Sequence, residues 1–81
     1  MRRITLPQDI RTFQRTGPTS SLLARTGLSV PAGRTLVVSE PVTMVYDHRN
    51  QLAVWFKEGG EEYFLIVAET GVPELMASVA N

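Results

Sequence analysis

Only one side chain in this sequence is of the kind most often used in acid–base catalysis. His48 follows Asp47 in a polar stretch, residues 47–51, that is predicted to form an exposed turn. A catalytic histidine needs a group to activate, and the sequence has no Cys and no Ser placed in a recognisable nucleophile motif. We therefore predict that the protein is not an enzyme and that no residue is catalytic, His48 included.

Acidic residues cluster around a pair of glycines, with Glu58, Glu61 and Glu62 flanking Gly59-Gly60. Their spacing matches no oxygen-ligand loop for a hard cation. The glycines lie between two apolar runs, whereas a phosphate-binding loop opens a helix. We expect solvated acids at the tip of a hairpin, with no metal site and no cofactor.

Charge is divided unevenly along the chain, although the net charge is zero. Residues 1–39 hold six Arg and one Asp, a net charge of +5, and the remaining residues carry −5. Two interpretations stay open. The basic segment folds back onto the acidic half of its own or a neighbouring subunit, or it contacts nucleic-acid phosphates. The arginines predicted to make the phosphate contacts are Arg2, Arg3, Arg11, Arg15 and Arg25.

The elements that must position these residues are mostly strands. From residue 34 onward, β-branched and aromatic runs predict four strands, at 35–39, 42–47, 52–57 and 62–68, and Pro73 opens a predicted helix at 73–80. The predicted fold class is β-rich α+β, as a small antiparallel sheet or an SH3-like partial barrel. One domain is expected over residues 1–81.

The first 33 residues differ from the rest, since three prolines and three glycines divide them into short pieces. The stretch Thr5-Leu6-Pro7-Gln8 has the form of a helix start, and Ile10 and Phe13 would share one helix face. We predict an irregular or short-helical segment here, with a short helix at about 7–15.

The glycine pair predicts a tight hairpin, because a two-residue primed turn needs positive φ angles that cost Gly little. Lys57 then pairs with Glu62, and the aromatic residues pair across the strands, Phe56 with Tyr63 and Trp55 with Phe64. The same register pairs Leu52 with Val67. For the preceding turn, we expect Asp47 to pair with Leu52.

This pairing places seven apolar side chains on one sheet face and six on the other. Helix 73–80 is too short to cover both faces, so an uncovered apolar patch is expected, and such patches mark interfaces. We predict protein contacts at Met44, Tyr46 and Trp55, made with a second copy of the chain or with a different protein.

One short segment resembles a known motif. Residues Ile4-Thr5-Leu6-Pro7-Gln8-Asp9-Ile10-Arg11 resemble the strand-to-helix motif of swapped-hairpin transcription factors and antitoxins of the AbrB type. In that family a strand with basic DNA-contacting residues precedes the motif, whereas here only Met1, Arg2 and Arg3 do. The resemblance implies a helix after Pro7; it covers eight residues and does not assign the chain to the family.

Two functions from different classes follow. The first is a small non-enzymatic protein-interaction domain, such as a regulator, an inhibitor or an assembly subunit of the phage or plasmid accessory kind. The alternative is a nucleic-acid-binding regulator that uses the Arg-rich amino-terminal segment. The absence of Cys favours the cytoplasm, and no stretch approaches the length of a membrane span, so no membrane partner is expected.

Overall fold

The computed structural model describes residues 1–80, which form seven strands and two short helices. The β-rich α+β class is confirmed, and the four strands predicted after residue 34 are present. The elements are β1 (Arg2–Thr5), β2 (Ile10–Arg15), β3 (Leu23–Val30), β4 (Thr35–Val38), β5 (Val42–Tyr46), β6 (Arg49–Glu58), β7 (Glu61–Ile66), α1 (Val67–Thr70) and α2 (Pro73–Ala80).

The strands form two antiparallel sheets. Five of them lie in the order β3-β2-β7-β6-β5, and β1 and β4 pair in a separate two-stranded ribbon. The five-stranded sheet curls until its two end strands meet at one point. There Leu22 and Val45 form a bridge, and the amide of Val45 donates to the carbonyl of Ser21 at 2.8 Å. The sheet is therefore a partial barrel with a single closing contact.

The glycine hairpin has the predicted register. Lys57 pairs with Glu62 and Trp55 with Phe64, and both Gly59 and Gly60 have positive φ angles, 59° and 81°. The predicted pairing of Leu52 with Val67 is wrong, because β7 ends at Ile66 and the chain turns there into α1.

The turn between β5 and β6 is tighter than predicted. Tyr46 pairs with Arg49, so the turn contains only Asp47 and His48, which adopt positive φ angles of 53° and 63°. The predicted pairing of Asp47 with Leu52 is wrong by four residues. Because side chains alternate with a period of two, this even shift leaves every side chain on its predicted face.

Both faces of the five-stranded sheet carry a hydrophobic cluster, as predicted. On one face the β1–β4 ribbon and the two helices cover the sheet; this ribbon-side cluster contains Ile4, Leu6, Ile10, Val30, Leu36, Val38, Val54, Phe56, Leu65, Val67, Val72 and Leu75. The aromatic cluster on the opposite face contains Phe13, Leu23, Met44, Ala53, Phe64 and Ile66, with Tyr46 and Trp55 packed against it.

The aromatic cluster is covered by the curling of the sheet itself. Tyr46 of β5 reaches across to Phe13 of β2, with their ring centroids 4.8 Å apart and edge-on. Phe13 and Phe64 are completely buried. The expectation of an uncovered apolar face is therefore wrong, since the chain covers both faces itself.

The predicted helix at about 7–15 is also wrong, and the segment before residue 34 is neither irregular nor helical. Residues 10–15 form β2, which pairs with β3 on one side and with β7 on the other. Ile10 and Phe13 are both buried, but they lie in different clusters on opposite faces. The three-residue spacing of Ile10 and Phe13, which suggested one helix face, thus comes from a strand that is buried on both of its faces. The helix implied by the resemblance to AbrB-type proteins is absent for the same reason.

The carboxy-terminal helices hold the β1–β2 connection against the sheet. Helix α2 begins at Pro73 as predicted, whereas α1 was not predicted. Gly71 ends α1 with φ 68°, and a Cβ there would lie 3.2 Å from Cγ of Pro7, so only Gly fits without displacing the connection. Neither helix within residues 1–80 has the length and apolar character needed to cross a membrane.

We expect that replacing Gly59 or Gly60 by Val lowers the free energy of unfolding by roughly 1 kcal/mol or more, since a β-branched residue resists positive φ. No atom lies within 4 Å of a Cβ at either position, so the cost is conformational and not steric. Urea denaturation measures it. Gly17, which has open space and no positive φ, is the matched control; equal losses in all three Val variants would contradict the assignment.

Substitutions in the β5–β6 turn should increase the stability of the protein. The double substitution Asp47→Asn and His48→Gly introduces the residue pair that primed two-residue turns prefer, and we expect a gain of about 1 kcal/mol in the free energy of unfolding. His48→Ala keeps a Cβ at positive φ and should give no gain. A stability of the double variant at or below that of wild type in thermal and urea unfolding would refute the prediction.

Candidate interaction surface

The five-stranded sheet carries its cations on one face. Cross-strand pairing and alternation place its cations on the face of the aromatic cluster: Arg11, Arg15, Arg25, Arg49 and Lys57. Two of the acids in its strands, Glu58 and Glu61, lie on the opposite face. The aromatic face is therefore the basic face of the sheet.

Arg11 covers two rings of the aromatic cluster. Its guanidinium carbon lies 5.0 Å from the ring centroid of Phe13 and 5.4 Å from that of Tyr46, which is cation–π geometry. Glu69 of α1 binds the same guanidinium through two bonds, of 3.0 and 2.7 Å. This side-chain hydrogen bonding with Glu69 raises the pKa of Arg11 above its ordinary value, so Arg11 stays charged.

Arg15 covers the other end of the cluster in a similar way. Its guanidinium carbon lies 5.1 Å from the ring centroid of Phe64, and its Nε donates to Glu62 at 3.0 Å. A further bond runs from Nη1 to the carbonyl of Ser20 at 2.8 Å, which ties the β2–β3 loop to the sheet. Both arginines are therefore occupied in covering the core.

The ion pairs of residues 1–80 all join the basic segment to the acidic half of the same chain. Besides the pairs of Arg11 and Arg15, Arg2 lies 3.5 Å from Glu40, and Arg34 pairs with Glu58. The prediction that the basic segment folds back onto its own acidic half is confirmed for these four arginines.

The arginines predicted to contact nucleic acid fall into two groups. Arg2, Arg11 and Arg15 form ion pairs, whereas Arg3 and Arg25 are exposed and have no ion pair within the described part of the chain. The two free arginines lie on different sheets, one on the ribbon and one on the five-stranded sheet. The structure does not gather the five into one patch.

The residues predicted to contact a protein partner are mostly covered. Met44 is buried, at 3% exposure, and Tyr46 and Trp55 are half-buried. The amide of Trp55 donates to Oγ of Ser39, which holds β6 against the connection between β4 and β5. As Met44 lies in the core, a partner that binds this face meets Tyr46, Trp55 and the cations around them.

The groups weighed for catalysis or metal binding are on the surface. His48 is exposed in the β5–β6 turn, and Glu58 and Glu61 are exposed at the glycine turn. Within residues 1–80, no group of three His, Asp or Glu side chains is arranged to hold a metal ion. The arrangement thus offers surface charges, and the prediction on His48 stays a prediction.

The free edge of β3 is the feature that the sequence did not reveal. The Leu22–Val45 bridge brings the first residues of β3 against β5, and beyond them β3 pairs with β2 alone in the described structure. Along this edge Arg25 is exposed, and Leu22 and Leu28 are 51% and 58% exposed. An unpaired strand edge is a template for pairing with another chain.

A small pocket opens beside the end of β3. It has a volume of about 140 Å³, several times the roughly 30 Å³ of a water molecule in the liquid. Leu28 and Val30 line it with the rings of Phe56 and Tyr63, which stack 5.6 Å apart. Arg34 and Glu58, which pair with each other, also line the pocket. This is room for one apolar side chain.

Comparison of the chain with protein-family models, with curated proteins and with solved structures gives no match.

We expect Arg11→Ala to lower the free energy of unfolding by roughly 1 to 2 kcal/mol, because it removes a bidentate ion pair and two ring contacts. Arg2→Ala is the matched control. Its ion pair is longer and more exposed, so the loss should stay below about 0.5 kcal/mol. Urea unfolding of both variants makes the comparison; equal losses would show that Arg11 does not hold the aromatic cluster together.

Proposed function

We propose that the protein is a small non-catalytic domain that binds another protein chain, as a regulator, an inhibitor or an assembly subunit. The observation that carries the proposal is the edge of β3 that has no strand beside it after the closing contact with β5. Arg25 and Leu28 are exposed along it, and Leu22 is exposed at that contact. Edge strands left open with apolar side chains invite pairing, and proteins commonly block them. The absence of Cys is in keeping with action in the cytoplasm.

The surface around this edge has the composition of a protein interface. Exposed leucines supply apolar area, and a single unpaired guanidinium supplies a directional contact; Arg is enriched at such interfaces. The pocket beside β3 adds a concave site for an anchoring side chain. The leucines and the guanidinium lie between Leu22 and Leu28, and the pocket adjoins the end of the same strand.

Nucleic-acid binding is the weaker proposal. Three of its five arginines are neutralised by glutamates of the same chain, and the net charge is zero. Arg25, Arg49 and Lys57 remain exposed on the basic face, and Trp55 is half-buried among them. These residues support a contact with a polyanion, and salt dependence tests it, because phosphate binding weakens steeply with added salt.

Site-specific photo-crosslinking tests the proposed function. A benzophenone amino acid is introduced at position 28, beside the free edge, and at position 79, an exposed residue of α2 that serves as the control. In cells of the source organism, we expect position 28 to give one discrete protein adduct, identified by mass spectrometry, and position 79 to give none. An adduct with the chain itself indicates self-association.

A competition experiment tests whether the adduct at position 28 reflects specific binding. Excess wild-type protein without the crosslinker should suppress the adduct at position 28. Adducts that are identical at both positions, or that consist only of nucleic acid, contradict a protein-binding function at this edge.

A further inference from the structure

We propose that an extended, acidic segment of a partner protein pairs with the outer edge of β1 and becomes a third strand of the β1–β4 ribbon. This edge lies on a different sheet from β3, so the inference goes beyond the proposed function and does not depend on it. Addition of a strand to an open sheet edge is a recurring mode of peptide recognition, in which main-chain hydrogen bonds supply affinity and side chains supply specificity.

The strand β1 is the outer strand of the ribbon. Within residues 1–80 it pairs with β4 alone. The other side of β4 meets β6, where the amide of Ser39 donates to the carbonyl of Trp55 at 2.9 Å. The side of β1 that points away from β4 therefore pairs with no strand of the described chain.

One hydrogen bond at the end of the ribbon shows which main-chain groups of β1 point outward. The amide of Leu6 donates to the carbonyl of Arg34 at 3.0 Å, so Leu6 directs its main chain to the β4 side. Alternate residues of an antiparallel strand bond to the same neighbouring strand. Ile4 therefore bonds to β4, whereas Arg3 and Thr5 direct their amides and carbonyls to the outer side.

These outward groups are accessible and unused. Arg3 and Thr5 are both exposed, and their amides and carbonyls have no hydrogen-bond partner among residues 1–80. Each residue thus offers one donor and one acceptor to an added strand. The open stretch ends before Pro7, which is the next residue in the same alternation, because proline has no amide to donate.

Charge favours an acidic segment. The guanidinium of Arg2 is occupied, since it lies 3.5 Å from Glu40 and donates to the carbonyl of Glu74 at 3.4 Å. Arg3 points to the opposite face of the ribbon, is exposed, and has no ion pair within the described residues. A carboxylate on the added strand, opposite or diagonal to Arg3, would complete a cross-strand ion pair.

The same charge disfavours a second copy of this chain at the edge. The antiparallel register that uses every outward group pairs Arg3 of each copy with Thr5 of the other. That register places the two Arg3 side chains diagonally on one face, where like charges repel. Charged residues on short edge strands are a common protection against pairing between copies. An acidic segment carries the opposite sign and is attracted instead.

The two faces of the ribbon determine how the segment alternates. Ile4 lies on the inner face at 2% exposure, whereas Val37, which is opposite Arg3, is 48% exposed on the outer face. Neighbouring residues on adjacent strands share a face. The residue beside Ile4 is therefore apolar and the one beside Arg3 is acidic, so an alternating sequence of these two kinds fits the edge.

Amide hydrogen exchange in the presence of a defined peptide tests the inference. The probe is a blocked octapeptide of alternating Val and Glu, and its counterpart has Lys in place of Glu. In the free protein the amides of Arg3 and Thr5 should exchange fast, and those of Ile4 and Leu6 slowly. With the Glu peptide at millimolar concentration, we expect about tenfold slowing at Arg3 and Thr5, and none with the Lys peptide.

Variants of Arg3 measure the contribution of charge. Arg3→Ala keeps the outward amide and should weaken binding of the Glu peptide several-fold. Arg3→Glu should reverse the preference, so that the Lys peptide protects Thr5. Arg25→Ala is the matched control, because Arg25 is also exposed and lacks an ion pair among residues 1–80 but lies on the other sheet; it should leave the protection unchanged. Equal protection by the two peptides in the wild-type protein refutes the acidic character of the segment.

Variants of Thr5 measure the contribution of the main chain. Thr5→Pro removes the outward amide, is tolerated on an edge strand, and should abolish the protection of Arg3 by the Glu peptide. Thr5→Val loses the hydroxyl that bonds to Thr35 at 2.9 Å but keeps the amide, and should retain the protection. The same result in both variants contradicts main-chain pairing. If Thr5→Pro does not fold, the protection in wild-type protein and in the Arg3 variants decides.

The remaining outcomes identify other occupants of the edge. Protection of Arg3 and Thr5 that increases with protein concentration, without peptide, indicates a second copy and overturns the inference. Protection by a twelve-nucleotide oligo(dT) and by neither peptide indicates nucleic acid and also overturns it. If the Glu peptide gives no protection in the wild-type protein, strand pairing at β1 is wrong, while crosslinking at position 28 separately decides the proposed function.

Discussion

The apolar side chains on both faces of the β6–β7 hairpin impose the constraint on which the rest of the structure depends. Phe64 and Leu65 are neighbours in sequence, point to opposite faces and are both completely buried. Burial of each such side chain contributes about 1.5–3 kcal/mol, so neither face can be left in water. The chain meets this requirement with two different covers, the β1–β4 ribbon with the helices on one side and the curled sheet on the other.

The second cover is completed by charged side chains. Arg11 and Arg15 lay their guanidinium groups over aromatic rings and are held there by Glu69 and Glu62. Arg suits this role because its stem and its flat head pack against apolar surface while the charge is paired. The uneven distribution of charge along the chain is therefore explained largely by folding, since the basic segment and the acidic half meet at the edges of one core.

How much the sequence predicts depends on whether the signal is local. The pair Gly59-Gly60 predicts a tight two-residue turn, and Pro73 predicts the start of a helix. Both elements are present as predicted. The β5–β6 turn was predicted to be longer than it is, because Asp47 and His48 adopt left-handed angles that usually require a glycine, and neither residue is one. The strand β2 was mistaken for a helix because Ile10 and Phe13, three residues apart, are both buried, which depends on covers from distant parts of the chain.

The candidate surface was not predictable for a related reason. A strand lies at the edge of a sheet when no other strand pairs with one of its sides. The residues of 23–30 do not indicate whether a second strand will pair with them. The interface was predicted at Met44, Tyr46 and Trp55 because the sequence shows how many apolar residues lie on a sheet face. It does not show which other parts of the chain cover that face. Once β2 and β3 are seen as strands, Met44 belongs to the core, and Leu22 and Leu28 are exposed instead.

The pairing of Phe13 with Phe64 has a consequence for synthesis on the ribosome. The β2–β3 hairpin is synthesised before β7 and the helices, which come last in the chain. Its two apolar faces therefore stay uncovered until those later elements have been made. Partly folded segments that expose apolar strands are prone to aggregate. During that interval Arg11 and Arg15 have no glutamates, so the nascent hairpin is strongly cationic and its copies repel one another. The same arginines that later cover the core therefore give the unfinished chain a net positive charge, which opposes association between its copies.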